Sequence, residues 1–296
     1  MDTKEAVRAR KEKGGGTSGH GRATGTLFVF MSAVLFSIGG LCVKIVPWSP
    51  LAINGMRNLI AVVIIGAYLK AVRHRIIINP AVLFGAACLA GTTTLYCMAN
   101  KLTTAANAIV LQFTAPVFVI FLNWLFFHKK PEKRDVTACI CVFAGIVFFF
   151  VDSLSSGNMA GNILAILSGV CYAGVFMMNS FPSSDSLSSI LLGQALCAAT
   201  CVWFVAGESD FGAAAIGGIV ALGVFQLALA YIFMARGLED TPAVTASLTA
   251  AVEPVLNPVL VAVFYHERMT AMALLGAVIV VVSVVIYNVG KVGQGR

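Results

Sequence analysis

The chain has 296 residues, of which 59% are hydrophobic and 11% charged, and its mean hydropathy is +0.91. A soluble protein of this length has too little interior to hide so much apolar surface, so the composition excludes an ordinary soluble domain. The formal net charge of +7 at pH 7 indicates loops that face a membrane surface and not binding to nucleic acid.

Residues 1–25 differ in kind from the rest of the chain. They carry a basic segment followed by a glycine-rich run from Gly14 to Gly19, which predicts a disordered cytoplasmic tail and not a cleaved signal peptide. The twenty-one residues from 23 to 43 then contain no charge. A helix needs about 20 apolar residues to cross a bilayer, so this segment predicts the first transmembrane helix.

Nine more apolar stretches follow along the chain. Seven contain no charged residue, and two contain one each, Arg57 in the second helix and Glu253 in the ninth. The shortest, with sixteen residues, spans the membrane if Lys133 and Arg134 reach out to the interface. The sequence therefore predicts an all-α integral membrane protein with ten transmembrane helices. The stretches after the first are 51–69, 76–100, 102–128, 136–151, 153–184, 186–207, 211–235, 241–266 and 269–290.

The distribution of lysine and arginine predicts how these helices are oriented. If the N-terminus is cytoplasmic, sixteen such residues fall in cytoplasmic segments, and Lys44, Lys101 and Arg268 fall on the other side. Lysine and arginine are enriched in cytoplasmic loops, so both termini are expected to be cytoplasmic. The expected location is a multi-pass position in the cell membrane, which in a prokaryote is the inner membrane.

The two halves of the chain repeat one another. Residues 98–102 return as 234–238, and the segment 116–128 returns as 254–266. Because each unit has five helices, the second copy must enter the membrane from the opposite side, and such inverted repeats favour alternating access to a site near the midplane. The expected domains are a cytoplasmic tail (1–25), a first five-helix repeat (26–151), a second five-helix repeat (152–290) and a cytoplasmic tail (291–296).

The ninth stretch carries the only carboxylate deep within a span. Thr245, Thr249, Glu253 and Asn257 recur every four residues and are expected to share one helix face. A charge inside the membrane costs at least about 2.5 kcal/mol on insertion scales, so Glu253 is expected to face protein or a water-filled cavity and to serve function. The alternative is that these polar groups only repair carbonyls freed by the two prolines of this helix.

Other polar and aromatic residues are expected to complete a central site. Arg57 shares a helix face with Asn54 and Asn58. It could hold a substrate carboxylate through paired N–H donors, reach out to the membrane surface, or pair with Glu253. Gln194 falls near the place in the second half that Arg57 has in the first, a pattern that suits a small amphipathic or zwitterionic metabolite. The predicted substrate-binding residues are Phe36, Arg57, Tyr96, Tyr172, Gln194, Glu253 and Asn257, with Gln112, Gln226 and Tyr231 as weaker choices.

Other classes of function lack their motifs. The eight cysteines all fall inside apolar stretches, which predicts neither disulfides nor a metal site. The four histidines lie in the tail or at membrane edges, and no phosphate-binding glycine loop occurs. We therefore expect no cofactor, no metal and no hydrolysis of ATP by this chain.

Four segments resemble the EamA-type transporters of the drug/metabolite transporter superfamily, and the resemblance covers residues 26–290. They are Arg57, the run from Thr103 to Ala108, Glu253-Pro254-Val255 and His266-Glu267-Arg268. The chain departs from the family pattern at Phe36-Ser37, where a tryptophan-glycine pair is common, at His266, where a glycine is frequent, and at Ala115, which stands where the second half has Glu253.

The resemblance implies a secondary active or facilitative transporter that moves a small organic metabolite, such as an amino acid or related compound, by alternating access. Protons are a coupling ion to be tested, and a monomer is the expected state because two halves can close one site. A channel or a ligand-binding membrane receptor is the alternative, followed by a membrane-embedded enzyme.

Overall fold

The computed structural model describes residues 19–39, 42, 45–103, 105–154, 158–265 and 270–294. Over these ranges the chain is helical and forms no β-strand. The first helix begins at Gly19, earlier than the start at residue 26 that the composition predicts. Residues 1–18 of the predicted tail, Lys44 and the His266-Glu267-Arg268 motif lie outside the described residues.

Thirteen α-helices make up most of the described chain. A 3-10 segment, Val202–Gly207, extends α8, and a π-helix, Leu222–Leu229, joins α9 to α10. The helices are α1 (Gly19–Ser37), α2 (Pro50–Ala71), α3 (Pro80–Leu102), α4 (Ala105–Gln112), α5 (Ala115–Phe127), α6 (Lys133–Phe150), α7 (Met159–Phe176), α8 (Ser186–Cys201), α9 (Ala213–Ala221), α10 (Ala230–Asp240), α11 (Ala243–Ala250), α12 (Glu253–Tyr265) and α13 (Ala271–Gln294).

Eight stretches within the described ranges are long and apolar enough to cross a membrane. Of the ten predicted spans, the other two correspond to α1, whose apolar part is shorter, and to α6, which begins with Lys133, Arg134 and Asp135. Large apolar side chains such as Ile140 and Trp203 lie on the outside of the bundle. An apolar outer surface of this kind suits contact with hydrocarbon. Helices can lie there because each helix satisfies its own backbone hydrogen bonds.

Helices from the two halves pack against each other in matching pairs. The third helix of each half packs on the first helix of the other, α3 on α7 and α10 on α1. The second helices pack together, α2 on α8, and so do the last, α6 on α13. This pattern is typical of two copies of one unit related by a pseudo-two-fold axis.

The crossing of α2 and α8 depends on a glycine. A Cβ atom at Gly55 would lie 2.4 Å from the carbonyl carbon of Cys201, whereas a Cβ at Gly66, further along α2, would meet nothing within 4 Å. We therefore expect Gly55→Ala to destabilise the protein by about 1–3 kcal/mol through overpacking. Gly66→Ala is the matched control and should be neutral or stabilising by about 0.5–1 kcal/mol. Thermal unfolding in nanodiscs measures both, and equal stability of the two variants would contradict the close crossing.

Two membrane spans are broken at equivalent places in the two repeats. α4 ends and α5 begins beside Pro116, and α11 ends and α12 begins beside Pro254. Proline lacks an N–H donor and clashes with the carbonyl four residues earlier, which interrupts a helix. The intervening backbone is buried in protein, as Phe113 and Ala251 are, and irregular backbone is tolerated at membrane depth under that condition.

Candidate functional site

Glu253 stands at the first position of α12, directly after the break in the ninth span. Its Oε2 atom accepts a hydrogen bond from the Tyr172 hydroxyl of α7 at 3.4 Å, and Ser37 Oγ of α1 lies 3.4 Å from its backbone carbonyl oxygen. No lysine or arginine within the described ranges forms an ion pair with it. The carboxyl group therefore reaches the interface between the repeats without a cationic partner.

Aromatic side chains surround this carboxyl group. The Phe36 ring packs edge-on against Tyr231 with 4.9 Å between centroids, and Tyr172 packs edge-on against Phe113 at 6.0 Å. These residues belong to α1, the α4–α5 break, α7 and α10, so both repeats contribute. Phe36, Tyr172 and Tyr231 are each at most 5% exposed. They form a buried aromatic cluster, which meets the half-buried Glu253 through the Tyr172 hydroxyl.

Arg57 is held by neutral partners. Its Nη2 and Nε atoms donate to Asn54 Oδ1 at 2.9 and 3.3 Å, and its Nη1 atom donates to Gln226 Oε1 at 3.2 Å. Among the residues described, no carboxylate pairs with it, so the direct ion pair with Glu253 is not formed in this structure. The guanidinium group is instead held by two neutral amides, one from each repeat.

Gln226 was only a weaker choice on sequence grounds, yet it is a direct partner of Arg57. It lies in the π-helix, and a Cβ atom at Gly39 would be 3.2 Å from its Nε2 atom. Single π-helical turns are rare and occur frequently at functional sites. The extra residue in this turn has no signature in a 3.6-residue periodicity, so the sequence could not show where Gln226 points.

Two buried amides lie on the paired helices α2 and α8. Gln194 is fully buried and neither polar atom of its side chain has a hydrogen-bond partner within the described residues; Asn58 is fully buried with its Oδ1 unpaired. Phe36 and Tyr172 are separated along the sequence by the same number of residues as Asn58 and Gln194. Gln194 is therefore the counterpart, in the second repeat, of the residue that follows Arg57. A buried unpaired polar group costs about 1–3 kcal/mol, so the fold keeps these amides at a cost in stability.

The polar stripe expected along the ninth span is divided. Thr245 lies 3.4 Å from the Tyr287 hydroxyl, and the Thr249 hydroxyl lies 3.3 Å from Asn288 Oδ1, so both threonines face α13. Glu253 instead meets Tyr172 of α7. The helix break between α11 and α12 changes the direction of the side chains, and the four-residue spacing therefore does not keep them on one face.

The remaining two predicted site residues lie apart from these contacts. Tyr96 packs in a separate cluster with Ala99, Ala108 and Ala165, near α4 and α7. Asn257 is half-buried one turn after Glu253. The structure thus places Phe36, Tyr172 and Glu253 together. Arg57 binds Asn54 and Gln226 instead, and Tyr96 belongs to the separate cluster.

Paired repeats with broken helices and polar side chains between them are typical of one class of protein, membrane transporters. A model of the EamA-like transporter family matches residues 23–151 and 159–289, one range for each repeat. The chain belongs to the EamA-like transporter family, which confirms the resemblance and makes it a multi-pass membrane transporter of the drug/metabolite transporter superfamily. One solved crystal structure superposes with a TM-score of 0.78 over 90% of this chain and 97% of its own, at 17% sequence identity. The search among curated proteins gives no match.

Proposed function

We propose that the protein moves a small zwitterionic metabolite, an amino acid or a related compound, across the membrane by alternating access. The observation that carries this proposal is the pair of opposite charges at the centre, Arg57 in the first repeat and Glu253 in the second. Neither has an oppositely charged partner among the described residues. Charges inside a membrane are expensive and mark substrate or ion pathways, and a zwitterion supplies the missing partner to both.

We assign one pole of the substrate to each charge. Three of the N–H groups of Arg57 are used by Asn54 and Gln226, and a guanidinium group carries five. One N–H on each terminal nitrogen remains, and such a pair can bind a carboxylate through two parallel hydrogen bonds. Glu253 would bind the ammonium group of the substrate. Phe36 and Tyr231, which are in contact, would pack against its side chain.

Movement between two states follows from the repeats. Two inverted copies have two equivalent arrangements, each open to one side of the membrane, and the broken spans at Pro116 and Pro254 are the places where the bundle can bend. We propose that both termini are cytoplasmic, that one chain forms the whole site, and that Glu253 is the group that carries a proton if transport is coupled to protons. The membrane is the cell membrane, or the inner membrane of a bacterium.

Uptake by the purified protein in liposomes tests this function. We expect zwitterionic amino acids to raise the thermal stability of the protein, because ligands that bind the native state stabilise it. The ligands that do so should enter liposomes with saturable kinetics and exchange against the same compound inside. Flux that rises linearly with concentration would identify a channel, binding without uptake a receptor, and release of a new compound an enzyme. Empty liposomes are the control.

A further inference from the structure

A cavity lies at one end of the bundle, away from the central charges. Its volume is about 340 Å³, and its walls are the start of α1, α6 and α11 and the end of α5 and α13. Binding sites for small molecules have volumes of about 300–1,000 Å³. We name this cavity the basic vestibule, after the charged residues that line it: Arg22, Lys129, Lys130, Glu132, Asp135 and Lys291.

The two acidic residues of the basic vestibule share one lysine. Lys291 Nζ lies 2.5 Å from Glu132 Oε2 and 3.3 Å from Asp135 Oδ1. The Tyr287 hydroxyl donates a further hydrogen bond to Asp135 Oδ1 at 2.7 Å. Lys291 thus balances one of the two negative charges, and the other remains part of the charge of the lining.

The other three cations of the basic vestibule form no ion pair with these carboxylates. Within the described ranges, Arg22, Lys129 and Lys130 form no ion pair, and Lys129 Nζ contacts only the face of the Phe127 ring, at 5.9 Å from its centroid. A cleft lined by charge of one sign concentrates the field and attracts the opposite charge. The surplus here attracts an anion.

The chemistry of the lining favours a phosphate group over a single carboxylate. Four cations and two carboxylates give the lining a net charge of +2. A phosphate monoester carries about −1.5 to −2 charges at neutral pH, which comes close to balancing that charge, whereas one carboxylate would balance only half of it. The deeper wall adds uncharged donors. Asn123 is half-buried, lines the cavity and has no hydrogen-bond partner in the part of the chain described. Its amide N–H₂ can donate to a phosphate oxygen.

We propose that the basic vestibule binds a phosphate group, carried either by the head of an anionic phospholipid or by a phosphate-bearing solute on the same side of the membrane. The site is independent of the central charges. Binding of phosphate in the basic vestibule neither requires nor predicts a particular substrate at the central charges.

Thermal unfolding of the full chain in phosphatidylcholine nanodiscs, titrated with inorganic phosphate at constant ionic strength, tests the proposal. We expect a saturable rise in unfolding temperature. The apparent affinity should fall at least about tenfold in Lys129→Gln/Lys130→Gln, because each lost charged contact removes binding free energy and about 1.4 kcal/mol is tenfold. Lys70→Gln/Arg75→Gln is the matched control: it removes the same charge near the end of α2, outside the cavity. It should respond as the unmodified protein does.

Nanodiscs that contain phosphatidic acid, whose head is a phosphate monoester, distinguish the two sources. If a lipid head occupies the site, phosphatidic acid stabilises the unmodified protein and the control but not the double variant, and inorganic phosphate then adds little. If a solute occupies it, the phosphate response persists in both lipids. The proposal is overturned if the double variant and the control respond alike to both probes, or if the unmodified protein responds to neither.

Discussion

Uptake of a zwitterionic amino acid should fall by about 10- to 100-fold when Glu253 is replaced by glutamine, since a hydrogen bond to a charged group contributes about 1.5–3 kcal/mol. The substitution keeps the shape of the side chain and removes the charge that would bind the ammonium group. If transport is coupled to protons, the response to an imposed pH gradient should disappear as well, because Glu253 is the only carboxylate deep in a predicted span.

The same variant should fold normally. A charge removed from water without a partner of opposite charge costs free energy. Among the described residues Glu253 forms no ion pair and accepts a hydrogen bond from the Tyr172 hydroxyl, so Glu253→Gln should be at least as stable as the unmodified protein. Glu239→Gln is the control, because Glu239 lies at the surface beside Arg236. Uptake that still follows the pH gradient in Glu253→Gln would show that this residue does not carry the proton.

Replacing Arg57 should lower uptake by a similar factor, because Arg57 would bind the carboxylate of the substrate. Arg57→Gln removes the charge, and we expect uptake of amino acids to fall by about 10- to 100-fold for the same energetic reason. Arg57→Lys should recover only a small part. A lysine is a point charge and cannot reach Asn54, Gln226 and a carboxylate in the fixed geometry that a guanidinium group provides.

Two measurements keep this prediction separate from a loss of folding. Thermal unfolding should show that Arg57→Lys remains folded, and Arg75→Gln, which removes a charge outside the vestibule and the central site, should transport normally. Full uptake by Arg57→Gln would show that the guanidinium group has only a structural role, through its hydrogen bonds to Asn54 and Gln226.

The architecture could be predicted from the sequence because hydrocarbon imposes a simple rule. Charge-free stretches of about 20 residues recur along the chain, and the repeated segments at 98–102 and 234–238 reveal two units. The family match then confirms both repeats. A long apolar stretch is recognised from the composition of the segment alone, so the transmembrane helices can be predicted without knowledge of tertiary contacts.

The start of the first helix could not be predicted from composition. The segment from Gly19 to Gly25 looks like a loop because of its glycines and Arg22. In the structure Gly25 lies against the end of α10: a Cβ atom there would be 2.6 Å from Thr241 Oγ1 and 3.0 Å from the Gly237 carbonyl oxygen. Here glycine permits close helix packing, a role that is visible only when the partner helix is in place.

The sequence predicts which residues belong to the candidate site better than it predicts the contacts between them. A charge in an apolar run points to Arg57 and Glu253 directly. Their partners come from distant parts of the chain: Gln226 is 169 residues from Arg57, and Tyr172 is 81 residues from Glu253. Helical periodicity describes one helix at a time, and it fails where the ninth span breaks and where the eighth becomes a π-helix.

The assignment of opposite poles is tested most directly by three related ligands: an amino acid that is transported, the amine that lacks its carboxylate, and the acid that lacks its amino group. Inhibition of the residual uptake by each should be measured in Arg57→Lys and Glu253→Gln and compared with that in the unmodified protein. The Arg57 variant should weaken the amino acid and the acid but leave the amine unaffected, and the Glu253 variant should weaken the amino acid and the amine but leave the acid unaffected. If both variants weaken all three ligands equally, Arg57 and Glu253 are not the two poles of a zwitterion site.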